Sequence, residues 1–520
     1  MKEKVIELKK LTTETLKIFN LSDTIDLSNA LFKCVMSGDK TKMNEFCDLV
    51  ENDLSKDWLQ MIFQYYEADR KEKKQDYTPK SIAKLLAELT ETGGKTVYDI
   101  CAGSGALTIQ KWNRNPNKIF ICEELDSKVI PFLLFNMVLR NMNGYVINRN
   151  VLTLELNKCY QIVSGEKFST VKEITDIPEI QADEIISNPP YNIKWEAPEP
   201  LFADERFREV IPPASNANFA FVLTALSRLN NGGKCAFVLP NGILSSDIEK
   251  NVRQVLTDCG RFEKIILMPN KMFESTTIPT CVCVFGNGNG HIDFFDCRKK
   301  ADQEQREQNG QFGGKSHTNR TYYKTINVLS DELINKLCRE CEDIAEFSFK
   351  ASIESVKKQD YKLTPSRYIC FEERETKHRP FQEIADNINY ITRIQNACKL
   401  VINETIAKNI GLDVDLYKQS KQQSIDTVKT MKELGFDLEV EDYISFTKNK
   451  NEFVFKCNDK ELMPDIFIHF FGIWKNQIAL LNTMQNQYLT ELRDAVLPDL
   501  MSGKLDLSNS TLIEDRTEIV

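Results

Sequence analysis

Asp183-Glu-Ile-Ile-Ser-Asn-Pro-Pro-Tyr-Asn-Ile-Lys-Trp195 is the stretch from which the rest of the chain is read. Asp183 to Ser187 predicts a short apolar strand with an acidic entry. Asn188-Pro189-Pro190-Tyr191 then ends it. Proline has no N–H to give to a ladder and its φ is fixed, so two in a row turn the chain out of a sheet. The turn is therefore expected at the carboxyl end of a strand, where open α/β sheets bind their ligands. There it displays an amide, backbone carbonyls and an aromatic ring on a backbone with little freedom.

Those groups suit alkylation of the exocyclic amine of a planar base. The N6 lone pair of adenine is delocalised into the ring and is a poor nucleophile. The Asn188 side-chain oxygen and the Pro189 carbonyl each offer an acceptor for one N–H, which favours a pyramidal nitrogen with its lone pair aimed at a methyl donor. Tyr191 offers a face on which a base drawn out of its duplex can stack. An ordinary surface turn after a strand accounts for the same residues, since Asn-Pro is a common turn signal.

Upstream, the pattern is that of an α/β protein from Gln75 onward. Candidate strands are Lys95–Ile100, Ile119–Cys122, Tyr145–Ile147, Asp183–Ser187, Lys234–Leu239, Lys264–Met268 and Thr280–Phe285. Helical periodicity falls between them, over Lys128–Asn141, Phe219–Leu229 and Ile248–Asp258. This alternation predicts a largely parallel sheet covered on both faces. The first strand runs into Asp99-Ile-Cys-Ala-Gly103-Ser104-Gly105-Ala106-Leu107, a glycine loop that opens a helix and lets a ligand approach the backbone. It is neither a P-loop nor a full G-x-G-x-x-G. The next strand ends in Glu123-Glu124-Leu-Asp126, where a carboxylate can hold a ribose diol about twenty residues after the loop. Asp99 is placed to hold an ammonium group. A solvated strand end or a helix cap explains each acid equally simply.

The composition is that of a soluble globular protein: 520 residues, 42% hydrophobic and 28% charged. That length predicts roughly two to four domains. The start carries acidic residues and no apolar core, so no signal peptide is expected, and no apolar run reaches membrane-spanning length. The 15 cysteines lie mostly in apolar runs, which fits reduced thiols in a cytosol. Cys338-x-x-Cys341 has zinc-like spacing, but no second pair or nearby histidine completes it, so no metal is expected. A net charge of −9 argues against a protein that coats nucleic acid by itself.

The order strand, D-x-x-x-G-x-G, strand, acid, strands, N-P-P-Y resembles the S-adenosylmethionine-dependent N6-adenine DNA methyltransferases. The likeness is to the modification (M) subunits of type I restriction–modification systems. Lys74-Gln-Asp-Tyr-Thr-Pro79 looks like the first cofactor motif of that family, and Asp99 to Leu107 is similar to its glycine motif. Cys122 to Asp126 matches the ribose-binding motif, with Glu124 as the acid. Asp183 to Tyr191 matches the catalytic motif. Gly232 to Gly242, Ile278 to Cys281 and Gln359 to Tyr368 resemble later segments of the M-subunit body. Two positions depart: Ile100 replaces a usual proline, and Asn150 stands where an acid often contacts the cofactor's adenine.

The resemblance implies a Rossmann-like methyltransferase core with a mostly parallel seven-stranded sheet over residues 75–375. N-terminal (1–74) and C-terminal (376–520) helical regions flank it. It implies that Asn188, Pro189, Pro190 and Tyr191 form the catalytic turn. Tyr77, Thr78, Pro79 and Asp99 would line the site for S-adenosyl-L-methionine. Ala102, Gly103, Ser104, Gly105, Ala106, Glu124 and Asn188 would complete it. Expected partners are double-stranded DNA, a specificity subunit and a restriction (nuclease) subunit, in a cytoplasmic hetero-oligomer with no membrane. Two alternatives stay open: a methyltransferase of another planar amine, such as a protein glutamine or an RNA base, and a non-catalytic assembly subunit.

The flanks read more plainly. Leu54, Trp58, Met61, Ile62 and Tyr65 have helical spacing, followed by the charge run Arg70–Lys74. Ala301 to Tyr323 is rich in Gln, Asn, Gly and charge and predicts a loop, with His317 exposed in it. Ile384, Ile388, Ile391, Cys398, Ile402 and Ile406 form one apolar stripe; Trp474, Ile478, Leu481, Tyr488, Leu492 and Ala495 form another, interrupted by Gln485. They predict an antiparallel helix pair. Between them Tyr417–Leu434 reads as a helix and Asp437–Cys457 as a hairpin. Leu492 to Leu505 resembles the closing segment of type I specificity subunits, which suggests a helical docking arm.

Overall fold

In a computed structural model the described residues are 8–66, 78–195, 204–273, 278–309, 321–370, 379–380, 382–395 and 479–501. They divide into two compact units, Met1–Cys370 and Phe371–Val520. Among the described residues, no helix is long and apolar enough to cross a membrane.

The first unit is built on one sheet. Its central strands are β1 (Thr96–Asp99), β2 (Ile119–Glu124), β3 (Asn143–Arg149), β6 (Ala182–Ser187), β7 (Leu229–Pro240), β8 (Phe262–Leu267) and β9 (Thr280–Phe285). These are the seven strands the sequence predicts, and they lie side by side in the order β8-β9-β7-β6-β1-β2-β3. Four more strands extend the two edges. β4 (Leu156–Val163) and β5 (Thr170–Ile174) follow β3, and β10 (His291–Asp296) and β13 (Ser348–Ser352) lie beyond β8. The described sheet therefore has eleven strands rather than seven. Eight run one way; β4, β9 and β13 run the other.

The central strands read as apolar runs because helices cover both faces. Successive residues alternate between two cores. Val97 and Ile186 face one; Tyr98 and Ile185 face the other. The first core is closed by the helices Leu8–Ile18, Leu27–Ser37, Lys40–Leu49, Trp58–Tyr66, Lys80–Leu89 and Ile130–Leu139. Phe46 meets Phe135 edge-on at 5.4 Å. Among the described residues, the N-terminal helices thus share one core with the sheet. The second core is closed by Asn218–Leu226, Lys250–Asp258 and Ile353–Lys358.

The acidic entry of β6 has a structural task. Asp183 Oδ2 accepts the N–H groups of Lys95 (2.8 Å) and Thr96 (3.1 Å), tying the start of β1 to β6. Glu184 is fully buried and is bridged to Lys111 and Lys118, each at 2.6 Å, both buried as well.

The stretch read as a loop, Ala301–Tyr323, is a correction. β11 (Asp302–Asn309) and β12 (Thr321–Val328) pair antiparallel in full register from Asp302↔Val328 to Asn309↔Thr321. The first of these strands is polar throughout and its start is exposed, so it has none of the apolar alternation that marks a half-buried strand. Its β-rich partner, Thr-Tyr-Tyr-Lys-Thr-Ile-Asn-Val, supplies the propensity. Residues 310–320, with His317, lie outside the described residues, as does the charge run Arg70–Lys74.

The second unit contains the helix 382–395 and the helix Ala479–Met501. Ile391, Ile394 and Leu481 form their shared core, with Tyr390, Met484 and Tyr488 at its border. Gln395 donates to Asn482 Oδ1 (2.9 Å) and to Gln485 Oε1 (3.2 Å), and Gln485 donates to Thr392 Oγ1 (3.1 Å). Contacts descend one helix as they ascend the other, so the pair is antiparallel, and Gln485 has partners that pin its register. Cys398, Ile402, Ile406, Trp474, Ile478, the segments 417–434 and 437–457, and the end of the closing segment lie outside the described residues.

Removing Glu184 leaves two buried ammonium groups short of their main partner. Glu184→Ala is expected to cost about 3–5 kcal/mol in urea unfolding. Lys158→Ala, which breaks the exposed pair with Glu173, should cost less than about 1 kcal/mol. Equal losses would show that the Glu184 cluster is not a buried ion network.

Candidate functional site

β1 is flanked by β2 on one side and β6 on the other, both parallel to it. The chain leaves β1 toward β2 and β3 and returns to β6 on the opposite side. The loops after β1 and β6 therefore diverge, and a crevice opens at their carboxyl ends. A cavity of about 590 Å³ fills it, a size that suits a nucleoside-like ligand.

The glycine loop forms one wall. Ile100 N–H continues the ladder to Ile186 O at 3.4 Å, Ala102 N–H bonds Glu123 O at 2.9 Å, and Gly105 N–H closes a turn on Ala102 O at 2.8 Å. Gly103 and Gly105 have φ of 54° and 99°, where a side chain is strained, and a Cβ on Gly105 would meet Leu133 Cδ1 at 3.0 Å. The helix Ala106–Arg114 starts directly after.

The two acids at the end of β2 separate by role. Glu123 is fully buried away from the cavity, paired with Arg149 at 2.5 Å and Arg228 at 3.0 Å. Glu124 lines the cavity. Its Oε2 accepts Gly103 N–H at 2.9 Å and its Oε1 accepts Asp126 N–H at 2.7 Å. Burial raises the Glu124 carboxyl above its usual range against those two backbone donors. Each oxygen keeps a second lone pair, so the carboxylate can still accept from vicinal hydroxyls.

The N-P-P-Y turn forms the facing wall. Asn188 Nδ2 donates to Thr78 Oγ1 at 2.9 Å, and Asn188 Oδ1 accepts the Tyr191 hydroxyl at 2.6 Å. Pro189, Pro190 and Tyr191 line the same cavity as Glu124. The turn is braced from behind: Asn192 N–H donates to Asn218 Oδ1 at 3.1 Å, and Asn218 Nδ2 returns a bond to Asn192 Oδ1 at 3.1 Å.

Of the residues expected from the sequence, Thr78, Ala102, Gly103, Ser104, Ala106, Glu124, Asn188, Pro189, Pro190 and Tyr191 come together around this cavity. Three do not line it. Gly105 lies under the loop at the start of its helix, and Pro79 precedes the helix Lys80–Leu89 as its cap. Asp99 lies beneath the loop, fully buried, with Oδ2 accepting the Thr108 hydroxyl at 2.8 Å and Oδ1 without a hydrogen-bond partner. Tyr77 falls outside the described residues. Ser104 contributes backbone only, because its hydroxyl is turned to Asp57.

Three contributors escaped the sequence reading. Trp195 lines the cavity, its Nε1 donating to Pro213 O at 3.0 Å; the aromatic at the end of the opening stretch was the available signal. Asn150, set aside because it replaces an acid, lines the cavity and accepts Leu152 N–H at 3.0 Å. Asp57, from the N-terminal helices, left no local signal. Cys338 and Cys341 are packed in or against the first core, and burial pushes both thiols up to about 11.

The N-6 DNA Methylase family model matches residues 51–378. The methylase subunit of type I restriction enzyme HindI from Haemophilus influenzae is 27% identical over 386 residues, covering 69% of this chain and 78% of that protein. The MpnII methylase subunit from Mycoplasma pneumoniae is 26% identical over 359 residues, covering 65% of this chain and 60% of its own length. The solved type I restriction-modification system methyltransferase subunit from Streptococcus thermophilus superposes with a TM-score of 0.49 at 23% identity, covering 71% of this chain and 82% of the other.

Burial is the main cause that pushes the Asp99 carboxyl up to about 7, with the nearby Glu124 charge adding to it. Its contribution to stability is full below the unfolded-state value of about 3.9 and is lost as the pH rises to about 7. Asp99→Asn should remove that dependence. The unfolding free energy of the variant relative to the unaltered chain should therefore improve between pH 4 and pH 7.5. A difference that does not change with pH would place the titrating group elsewhere.

Proposed function

The chain belongs to the N-6 DNA methylase family, and from that premise we propose that it is a site-specific DNA adenine N6-methyltransferase. It uses S-adenosyl-L-methionine and works as the modification subunit of a type I restriction–modification system. The observation that carries this reading is the meeting of Asn188, Pro189 and Tyr191 with Glu124 and the glycine loop around one cavity.

The residues present fit the cofactor. Glu124 is a charged acceptor beside the strained glycines, as a ribose diol requires, and the loop backbone is open to close approach. Asp99 stays under the loop and does not line the cavity, so contact with the cofactor falls to the loop backbone above it. Bound S-adenosylmethionine supplies an electrophilic methyl group. The protein's task is then to hold an adenine amine in line with it. Asn188 Oδ1 and the Pro189 carbonyl accept the two N–H groups, which concentrates the nitrogen lone pair toward the methyl. Thr78 holds the amide's nitrogen end, so the oxygen end faces the substrate. Transfer would form the N–C bond as the S–C bond breaks, leaving the thioether form of the cofactor; the surplus proton passes to solvent, and no covalent bond to the protein forms. Tyr191 stacks on the base once it leaves the duplex, as chemistry on a buried base edge demands.

On this reading the catalytic region is 75–375, and the flanking regions 1–74 and 376–520 serve DNA or partner subunits. A net charge of −9 leaves target selection to a separate specificity subunit, with a nuclease subunit as a further partner. The antiparallel pair of the second unit offers the helical docking arm for that subunit, and Leu489 is its exposed large apolar residue among those described. Such a complex works in the cytoplasm, where DNA and reduced thiols coexist.

Two measurements test the site. Glu124→Ala removes charged hydrogen bonds worth roughly 1.5–3 kcal/mol each, so calorimetric affinity for S-adenosylmethionine should fall by about tenfold or more. Unchanged affinity would move the ribose site away from β2. Separately, Asn188→Ala should abolish transfer of tritiated methyl groups to DNA while cofactor affinity stays within a few-fold. Tyr191→Ala should weaken turnover strongly. Tyr191→Phe keeps the ring and gives up one neutral hydrogen bond to Asn188, so it should lose no more than about tenfold. Substantial transfer by Asn188→Ala would sink the assignment.

A further inference from the structure

Asp57 lies far from the glycine motif in sequence yet touches its centre. It caps the helix Trp58–Tyr66, Oδ1 accepting Gln60 N–H at 2.9 Å. A helix cap needs nothing more. Here Oδ2 also accepts the Ser104 hydroxyl at 2.5 Å. Asn136, from the helix Ile130–Leu139, closes the circuit, its Nδ2 donating to Asp57 Oδ1 at 2.8 Å and to Ser104 O at 2.9 Å. Arg140, one turn further along, bonds Asn136 Oδ1 at 3.0 Å and fixes the turn before Asp57 through Leu54 O (2.9 Å) and Lys56 O (2.8 Å). Asp57, Ser104, Asn136 and Arg140 are all buried.

Ser104 stands between Gly103 and Gly105, which have positive φ and no side chains to hold them. It is the one side chain by which the apex of the loop can be gripped, and it is gripped at both its hydroxyl and its carbonyl. We infer that Asp57 is a positioning residue for the cofactor loop, acting through Ser104 to keep the Gly103–Gly105 backbone in its ligand-ready form. This rests on the reading of the cavity as the S-adenosylmethionine site. It gives the N-terminal helices a direct hold on cofactor binding. When the loop is released, the binding-competent fraction falls, and apparent affinity falls by the same factor.

The test measures S-adenosylmethionine binding by calorimetry on the full chain, for the unaltered protein, Asp57→Asn, Ser104→Ala and the double variant. Ser104→Ala removes a single oxygen and serves if Asp57→Asn folds poorly. Each single variant should bind about five- to tenfold more weakly at unchanged stoichiometry, and the double variant should be no weaker than the worse single within about twofold. Turnover of Asp57→Asn at saturating cofactor should stay within about twofold, so that its change appears in KM rather than kcat. A purely structural role would lower stoichiometry and melting temperature and leave Kd of the folded fraction unchanged. That result, or additive effects of the two substitutions, overturns the inference. Failure of the unaltered chain to bind overturns the cofactor reading itself, and the Asp57 inference with it; normal binding with an unaffected Asp57→Asn overturns the inference alone.

Discussion

The structure depends on the position of β1 between two parallel neighbours that the chain reaches from opposite sides. A strand bordered in this way has loops that must part at its carboxyl end, and the gap cannot be filled by either crossover. Everything chemical is hung on the two strand ends at that gap. The glycine loop continues from Asp99, and the N-P-P-Y turn continues from Ser187 one ladder step away, with Ile100 still bonded to Ile186. The distance between cofactor wall and substrate wall is therefore set by the spacing of adjacent strands, a quantity fixed by backbone hydrogen bonds rather than by side-chain packing.

The opposite ends of the same strands show what holds that spacing. Asp183 accepts two N–H groups from the entry to β1, and Glu184 collects two buried lysines, one from the helix Ala106–Arg114 and one from the entry to β2. Both acids belong to β6, the strand whose other end carries Asn188. The far end of β6 thus carries buried charge that takes no part in the cavity. A site built on strand ends clamped at their far side is more precise than one carried on free loops.

Much of this was legible in the sequence because the signals were local. A double proline can only leave a sheet, and glycines either side of a serine after a strand mark a loop that a ligand approaches. The choice of Glu124 over Glu123 rested on the resemblance to the family's ribose-binding motif, and Glu124 is the one of the two that lines the cavity. What was not legible is non-local or lacks contrast. β4, β5, β10 and β13 are the outer strands of the sheet and have mixed polarity, and β11 is polar along its whole length. Asp57 looks like any helix cap, because its second partner is 47 residues further along the chain. Asp99 reads like a ligand to a cation, yet Thr108, on the following helix, takes one of its oxygens and the loop covers it.

The Asn188–Tyr191 contact bears on how such a site waits for its substrate. An acceptor meant for an incoming amine stands half-buried in the cavity wall and needs a partner until that amine arrives. Tyr191 meets that requirement from within the turn, three residues away, by donating its hydroxyl to Oδ1. An amide oxygen has two lone pairs, so the arriving N–H need not displace the tyrosine. The amide's other end is committed to Thr78, which leaves rotation of the side chain opposed at both termini. A tyrosine in this turn then has two separable uses, its ring for the base and its hydroxyl for the asparagine. A phenylalanine would preserve the first and leave the acceptor to be satisfied by the substrate alone.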